Sequence, residues 1–442
     1  MPLKALRISA AATAAILAAG LALMLALNLP GQLSYDSVGQ LFDGRFGHYN
    51  SWHPAVMAWL LGLFDAVLPG TGLFVCFEAL LVGAAFALSL RRKAGWIAAI
   101  VLFGILLTPQ WLLFQGIVWK DVLFADAYVL AFAALARSVR EDGKFRLGLF
   151  GLFFLSLTLA GLARQNGLLL LPVGALAFGW ITARGNRRWI HAAAALTLLL
   201  VLVIAANLAL ALRSDHGKGL QDEIQLAQIY DLTGAVRQGY RLDILSHSDP
   251  ALALALQDQG VTAYSLQMQD TLEPILPARI VKGAVMAQWQ ALLAQRPDLY
   301  LRERLPLFWQ VLATPELALC HPGYAGISGD PEQLKALGLS ASYRPQDIWL
   351  AAYARGFMGT PVLSHLAFAA LALLLLLIYL RRGRPGDIAM AAMLTAGLAF
   401  AASFFFVSVA CDYRYLYPLD LAAMLALFHV FTTGNGKVPD QS

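Results

Sequence analysis

Long apolar runs, several of them close to 20 residues, constrain this chain more than any other feature of its sequence. A helix of about 20 residues rises about 30 Å, which is the hydrocarbon thickness of a bilayer. Apolar residues make up 59% of the 442 residues and charged residues only 13%, so we interpret the runs as membrane spans. The pattern predicts an all-α polytopic membrane protein with ten transmembrane helices. They would cover about 8–29, 72–90, 95–113, 121–137, 147–163, 168–183, 189–212, 361–380, 388–410 and 416–432.

The basic residues between these spans are distributed unevenly. With a cytoplasmic N-terminus, the short inner segments hold sixteen Lys and Arg residues, whereas the short outer loops hold only Arg45, Lys120, Arg164 and Arg414. The positive-inside rule therefore places both termini in the cytoplasm. The first span is longer than the apolar core of a cleavable signal peptide, and we expect a retained signal anchor. This distribution also explains the net charge of +5, which gives no indication of nucleic-acid binding.

One apolar segment, 54–68, is too short for a span and carries Asp65. Counting it as a span would also move the basic cluster at 91–93 to the outer side. We therefore predict a helix that lies in the outer membrane interface.

The segment 213–357 is the one long hydrophilic region, and we expect it to be extracytoplasmic and largely helical. The predicted domains are an N-terminal transmembrane module 1–212 with a first outer loop 30–71, the region 213–357, and C-terminal helices 358–442. Cys320 and Cys411 would both lie outside, which would allow a single bridge that nothing in the sequence requires. One Cys and one His in Cys320-His321-Pro322-Gly323 do not favour a zinc site.

Unusual polar residues gather in the outer loops. Asp36 follows the first span directly, where a short carboxylate is a poor membrane anchor, so either a reactive group or an interfacial residue fits that position. The loops hold Tyr35, Asp36, Asp43, Arg45, His48 and His53, then Trp119-Lys120-Asp121, then Arg164-Gln165-Asn166, and last Asp412-Tyr413-Arg414-Tyr415.

Three of the four outer basic residues, Lys120, Arg164 and Arg414, sit at span ends. Each alone could be an interfacial anchor, but together, beside Asp, Asn and Tyr, they indicate an anion site. His53 has two interpretations, a substrate contact or the start of the interfacial helix at Pro54. Glu78 and Asp126 fall inside spans, where we expect them to face a cavity rather than lipid.

These motifs resemble membrane glycosyltransferases of the GT-C fold, the class of protein O-mannosyltransferases and lipid A aminoarabinose transferases. Tyr35-Asp36-Ser37 followed by Trp52-His53-Pro54 resembles the family's opening, and Trp119-Lys120-Asp121 its second outer-loop motif. Ala163-Arg164-Gln165-Asn166-Gly167 and Arg414-Tyr415-Leu416-Tyr417-Pro418 resemble later elements. This chain departs from the family in two ways, and both concern the acceptor. Many relatives have a paired acid in the first loop, whereas here the next acid after Asp36 is Asp43. The long outer region lies between the seventh and eighth spans rather than at the C-terminus.

The resemblance implies a polyprenyl-phosphate sugar as donor and an envelope glycolipid, glycan or protein as acceptor. The high Ala and Leu content suggests a bacterium, so we expect the active site on the periplasmic side of the inner membrane. Phosphate leaves readily as an anion, so one base and positive charge suffice. Asp36 would be the base. The donor phosphate would bind Lys120, Arg164 and Arg414, and the substrates Tyr35, His53, Asp121, Asn166, Tyr413 and Tyr415. No cofactor is expected, and a divalent ion near Asp36 and Asp43 stays an alternative.

Other functions fit parts of the pattern. A transporter or flippase would be favoured if Glu78 and Asp126 were essential and Asp36 were not. A polymerase or ligase that uses undecaprenyl-diphosphate-linked glycans would depend on Arg237, Arg241 or His321. A catalytically inactive relative that acts as a binding partner is a further alternative.

Overall fold

The structure, a computed structural model, describes residues 10–49, 54–91, 95–139, 144–212, 220–258, 265–266, 272–277 and 280–433. Nearly all regular structure in these ranges is helical, which confirms the all-α class. The chain divides into two units. Unit 1 comprises Met1–Asp215, Gly323–Phe400 and Leu416–Ser442, and unit 2 comprises His216–Pro322 and Ala401–Tyr415.

The described residues form twenty α-helices. In chain order they are α1 (Ala10–Asn28), α2 (Tyr35–Phe46), α3 (Ala55–Val67), α4 (Gly72–Ser89), α5 (Trp96–Leu106), α6 (Pro109–Leu112), α7 (Lys120–Ser138), α8 (Leu147–Ala163), α9 (Leu170–Thr182), α10 (Arg187–Ala211), α11 (Leu220–Arg237), α12 (Asp243–Ser248), α13 (Pro250–Leu256), α14 (Lys282–Gln295), α15 (Pro297–Ala313), α16 (Pro331–Leu337), α17 (Pro345–Arg355), α18 (His365–Arg382), α19 (Pro385–Val407) and α20 (Tyr417–Thr433). Two short strands, β1 (Ser265–Leu266) and β2 (Ala410–Cys411), pair in parallel.

Six helices of the described chain are long and apolar enough to cross a membrane, and a bent pair would make seven. The six are Ala10–Asn28, Gly72–Ser89, Gln165–Thr182, Arg187–Ala211, His365–Arg382 and Pro385–Val407. Helices also occupy the other predicted positions, but α8 and α20 are shorter, and α7 carries four charged residues. The number of ten spans therefore stays a prediction.

The predicted span 95–113 is broken in the structure. Helix α5 ends at Leu106, and the next helical segment, Pro109–Gly116, is inclined to it by 63°. Thr108 has φ −74° and ψ 153°, the extended conformation that a following proline imposes. Because Pro109 also lacks an N–H, it opens a new helix rather than continuing the old one. A window of mean hydropathy does not detect this break.

Helix α7 lies at the centre of unit 1. Its side chains are buried on every face from Asp121 to Ala136, against α4, α8 and α20. A helix that is buried on every face is covered by its neighbours along its whole length. The first residues of α7 therefore occupy a fixed position in unit 1.

Helices α2 and α3 cross in direct backbone contact. A Cβ atom on Gly44 would lie 2.2 Å from the Ala58 carbonyl oxygen, and one on Gly62 would lie 2.3 Å from the Gly44 oxygen. The Arg45 guanidinium donates to both oxygens of Asp65 at 2.7 and 2.6 Å. The short helix predicted at 54–68 is present as α3, and it supports α2 from one side.

A distant part of the sequence supports the chain just before α2. The Gln32 amide donates to Asp347 Oδ1 at 2.9 Å and accepts from the Gly326 N–H at 2.6 Å. Leu33 forms a backbone bridge with Ile327. Residues 323–357 thus group with unit 1, although the sequence predicted that they belong with the outer region. The predicted domain boundaries at 212 and 357 stay predictions.

Unit 2 is built on α11 to α15 around an apolar cluster that includes Leu232, Leu245 and Leu292. A buried ion pair joins Arg304 to Asp231 at 2.6 Å, and Trp289 donates to the same carboxylate at 2.8 Å. Within this unit Cys320 and Cys411 form a disulfide. The bridge that the sequence merely allowed is therefore present.

Candidate functional site

Two of the predicted motifs lie on adjoining segments of unit 1. The Gln32 N–H donates to the Gly116 carbonyl at 2.8 Å, and the Val118 N–H donates to the Gln32 carbonyl at 3.0 Å. Only glycine fits at 116, because a Cβ atom there would lie 2.0 Å from Asn28. The segments continue into the N-termini of α2 and α7, which carry Asp36 and Lys120.

Side-chain hydrogen bonds tie the first turn of α2 to the other segment. Ser37 Oγ donates to the Val118 carbonyl at 2.7 Å, and Trp119 Nε1 donates to Ser34 Oγ at 2.8 Å. The Ser34 N–H donates to Ser37 Oγ at 3.2 Å, as in a helix capping arrangement. Asp36, which lies between these two serines in the sequence, is half-buried, and Tyr35 beside it is 63% exposed. The turn that carries Asp36 is thereby fixed.

The third motif contributes a buried ion pair. The Arg164 guanidinium contacts the Asp121 carboxylate, and it also lies over the Phe400 ring, 5.7 Å from its centroid. Asp121 is 1% exposed and Arg164 11%. A guanidinium has five N–H donors, more than one carboxylate can accept. We predicted that Asp121 binds substrate, and the structure places its carboxylate against Arg164. Asn166 lies in the short 3₁₀ helix Gln165–Leu169, directly after Arg164.

The last motif lies in unit 2. Arg414 Nε and Asp412 Oδ2 are 2.8 Å apart, with Asp412 4% exposed. Tyr413 is buried, and Tyr415 stacks on Phe404 with ring centroids 5.1 Å apart. Six predicted residues lie in unit 1 and three in unit 2: Tyr35, Asp36, Lys120, Asp121, Arg164 and Asn166 in the first, and Tyr413, Arg414 and Tyr415 in the second. The remaining prediction, His53, lies outside the described residues.

His321 is a polar residue of unit 2 that is not part of the last motif in the sequence. Burial lowers the pKa of its imidazole; the Asp412 carboxylate acts in the opposite direction, and the Arg414 guanidinium lowers the pKa further. In the sequence, this position belongs to the Cys320-His321-Pro322-Gly323 motif, which does not favour a zinc site. It is also one of the residues on which a glycan polymerase or ligase would depend. No spacing rule links residues 321 and 414, whereas the disulfide between the neighbouring cysteines does.

Asp43 lies two turns after Asp36 on the same face of α2, since seven residues complete about two helical turns. Burial raises the pKa of Asp43 to about 6, and His48 opposes this effect. The two acids are about 10 Å apart along the helix axis, at about 1.5 Å per residue, too far to share one ion directly. Among the described residues no group of three or more His, Cys, Asp or Glu side chains could hold a metal.

A second polar group lies deep inside unit 1. Gln115 Nε2 donates to Asp126 Oδ1 at 2.8 Å and contacts the Tyr417 hydroxyl at 2.6 Å. His365 Nδ1 lies 2.9 Å from Asp420, with both side chains fully buried. Glu78 and Asp126, expected to face a cavity, are both 0% exposed. The Gln115 contacts link the Pro109–Gly116 segment to α7 and α20, which favours a structural role for Asp126.

Comparison with known proteins finds similarity at the level of structure. No family model matches the chain, and neither does any curated protein sequence. The chain is similar to the archaeal oligosaccharyltransferase AglB from Archaeoglobus fulgidus, solved with an inhibitory peptide and a dolichol-phosphate, with a TM-score of 0.40 and 13% identity over 94% of this chain and 50% of that one. It is also similar to ArnT from Cupriavidus metallidurans in the apo state, with a TM-score of 0.36 and 15% identity over 94% of this chain and 76% of that one. The chain thus spans half the length of AglB.

Proposed function

We propose that this chain is an integral membrane glycosyltransferase that moves a sugar from a polyprenyl-phosphate donor to an envelope glycolipid, glycan or protein. The observation that carries the proposal is the pairing of the segments before α2 and α7. The paired segments lead directly into the N-terminal turns of α2 and α7, which carry Asp36 and Lys120. A base and a cation held on rigid elements are what the reaction requires.

The reaction breaks the bond between the anomeric carbon and the phosphate oxygen and forms a bond to the acceptor oxygen. Asp36 accepts the proton of the acceptor hydroxyl. The phosphate leaves with the bonding electron pair, and Lys120 and Arg164 stabilise its charge. One displacement inverts the anomeric centre, so NMR of the product that shows retention would contradict this scheme. No metal is needed, and we expect transfer to persist in the presence of a chelator.

The other predicted residues have supporting roles in this proposal. Tyr35 and Asn166 would bind substrate, and Asp121 would orient Arg164. The roles of Arg414, Tyr413, Tyr415 and His53 rest on the sequence motifs alone. The apolar helices would hold the prenyl chain, as expected for a donor with its phosphate at the membrane surface.

The Cys320–Cys411 disulfide supports an outer location for unit 2, because disulfides persist in oxidising compartments such as the periplasm. This agrees with the charge distribution, which places the loops bearing Asp36, Lys120 and Arg164 on that same side. An active site facing the bacterial periplasm is therefore part of the proposal.

Mass spectrometry of envelope glycolipids and glycans from a deletion strain tests the proposed function. We expect one sugar increment to disappear and a polyprenyl-phosphate sugar to accumulate, because its consumption has stopped. Loss of a whole repeating polymer would instead favour a polymerase or ligase. An unchanged sugar profile with a redistributed lipid would favour a flippase, and Glu78→Gln and Asp126→Asn would then be the variants to examine.

A further inference from the structure

Helix α17 exposes an apolar side. Ile348 and Ala352 are one helical turn apart, and Trp349 lies on the same side, three positions before Ala352. All three are exposed, Ile348 by 59% and Trp349 by 50%, whereas Leu350 and Ala354 on the opposite side are buried. A helix between a protein core and water carries polar residues on its outer side. The outer side of α17 therefore does not suit water.

The preceding helix, α16, shows the ordinary pattern. Glu332 and Lys335 are exposed, and Leu334 and Leu337 are buried. Both helices belong to the segment 323–357, which lies in the long hydrophilic region of the sequence. The apolar outer side is thus a property of α17 itself and not of the whole segment.

The N-terminal end of α17 is held at the end of a candidate membrane span. The Arg344 guanidinium donates to the carbonyl of Leu29 and, at 3.2 Å, to that of Asn28. These carbonyls lie at the C-terminal end of α1, where the helix dipole favours a positive charge. Helix α1 is one of the six that are long and apolar enough to cross a membrane, so its end marks the level of the membrane surface.

Tyr353 fixes the other end of α17 at a deeper level. Its hydroxyl donates at 2.6 Å to the Leu107 carbonyl, directly after α5. Leu106 lies against α1, because a Cβ atom on Gly20 would be 2.6 Å from its side chain. Gly20 precedes Asn28 by eight residues, about 12 Å along the helix axis. The Tyr353 hydroxyl therefore reaches below the end of α1, and α17 lies beside the last turns of a span.

The outer side of α17 continues an apolar surface of its neighbours. Leu23 of α1 is 45% exposed and Phe103 of α5 is 56% exposed, as expected for side chains that face lipid. Trp349 stacks on Tyr353 with ring centroids 5.3 Å apart, and such aromatic residues are enriched where a membrane meets water. Arg355 at the C-terminal end is exposed and long enough to reach lipid headgroups. A short helix with one apolar side and basic ends is typical of the membrane interface.

We propose that α17 is a membrane-binding helix whose outer side, formed by Ile348, Trp349 and Ala352, binds the acyl chains of the lipids that surround the spans of unit 1. The inner side of the same helix carries Asp347, which accepts from the Gln32 amide at 2.9 Å. The helix that contacts lipid thus also holds the segment that leads to α2. This inference is independent of the proposed sugar transfer.

Fluorescent probes on single cysteines of the full chain in phosphatidylcholine nanodiscs test the proposal. Cys76, which lies outside the disulfide, is replaced by Ser in every variant. The fluorophore NBD is attached at Ile348→Cys, and its quenching by lipids with a doxyl group near the top of the acyl chain is measured. Leu23→Cys on α1 is the reference for lipid contact. Ala336→Cys is the matched control for water, since Ala336 is exposed beside Lys335 on α16.

We expect doxyl lipids to quench the probe at Ile348→Cys at least half as strongly as the probe at Leu23→Cys, and the probe at Ala336→Cys hardly at all. Quenching at Ile348→Cys no stronger than at Ala336→Cys overturns the proposal. A blue-shifted emission without quenching also overturns it, because a protein surface rather than lipid would then cover α17. The assay does not measure sugar transfer, so neither result bears on the proposed function.

A charge on the outer side of α17 provides the second arm. Trp349→Asp places a carboxylate among acyl chains, which is unfavourable, and should at least halve the quenching at Ile348→Cys. Lys335→Asp on α16 is the control and should leave this quenching unchanged. Equal quenching with and without Trp349→Asp would show that the apolar side does not hold α17 in the lipid.

A measurement without an attached probe guards against a disturbed fold. Brominated lipids quench tryptophan emission on contact, and we expect them to quench less of the emission of Trp349→Phe than of the wild type. Equal quenched emission from the two proteins overturns the proposal.

Discussion

At the scale of single residues, the site depends on charged groups whose partners the sequence does not reveal. Lys120, Arg164 and Arg414 stand out in the sequence because Lys and Arg are rare in the outer loops, and this is a matter of loop position alone. It could not show that Arg164 is held by Asp121 or that Arg414 is held by Asp412. The sequence shows which residues are charged and in which loops they lie, whereas the two ion pairs become evident only in the folded chain.

The buried pair predicts a large effect for Asp121→Asn. Removal of one partner leaves a guanidinium buried without its carboxylate, which costs about 3–5 kcal/mol in unfolding free energy. Thermal unfolding in detergent measures this change. Asp298→Asn is the control, because the Arg296–Asp298 pair is exposed and should contribute little. Equal losses for the two variants would contradict the buried pairing.

Asp43 predicts a pH-dependent stability. The folded protein holds the Asp43 proton up to a pKa of about 6, above its ordinary value of 3.8. The unfolded chain releases that proton first, so this residue makes the fold less stable as the pH rises from about 4 to about 6. Asp43→Asn should therefore raise stability at pH 8 by about 1 kcal/mol, allowing for solvent screening, and leave it unchanged near pH 4. A gain of equal size at both pH values would refute the assigned cause.

At the scale of elements, the helical class followed from the length of the apolar runs. The short helix at 54–68 followed from its length, from Asp65 and from the basic cluster at 91–93. The prediction of a short helix at 54–68 is confirmed by α3, although its location in the interface stays a prediction. The break between α5 and α6 was missed because mean hydropathy carries no information about Pro109. The close backbone contact of α2 and α3 at Gly44 and Gly62 could not be predicted either, because a contact between two helices is not a property of either sequence segment.

The glycine contact predicts a specific defect. Gly62→Ala places a methyl group against the backbone of α2, so the two helices must separate and Asp36 must shift. We expect a loss of sugar transfer of at least tenfold together with a lower Tm, since overpacking costs about 1–3 kcal/mol. Gly104→Ala is the control: a Cβ atom there meets nothing within 4 Å, and alanine favours a helix. Full activity of Gly62→Ala would show that the crossing does not position Asp36.

At the scale of the whole molecule, connections between distant parts of the sequence were the least predictable. The Gln32–Asp347 hydrogen bond joins residues 315 positions apart, and no local pattern indicates it. The same holds for the disulfide across 91 residues, which the cysteine count allowed but could not select. Charge distribution predicted the sidedness of the chain, but only folding determines which outer loops adjoin.

The Gln32–Asp347 bond predicts an effect on transfer from outside the motifs. Asp347→Ala removes acceptors used by Gln32 and Arg344, and thus loosens the segment that leads into α2. We expect transfer to fall at least fivefold without any change in which sugar is transferred. Asp330→Ala, which removes only the N-cap of α16, should lower stability by about 1 kcal/mol and spare transfer. Equal transfer by the two variants would argue against long-range support of the Asp36 segment.

Complementation of the deletion strain tests most directly whether Asp36 is the base of a sugar transfer. The strain would receive wild type, Asp36→Asn or Asp43→Asn at matched protein levels, and the envelope glycolipids and glycans would be measured by mass spectrometry. We expect wild type and Asp43→Asn to restore the missing sugar increment. Asp36→Asn should restore at most about one part in 10², since a positioned base contributes about 10²–10⁴ in rate. Full restoration by Asp36→Asn would contradict the account.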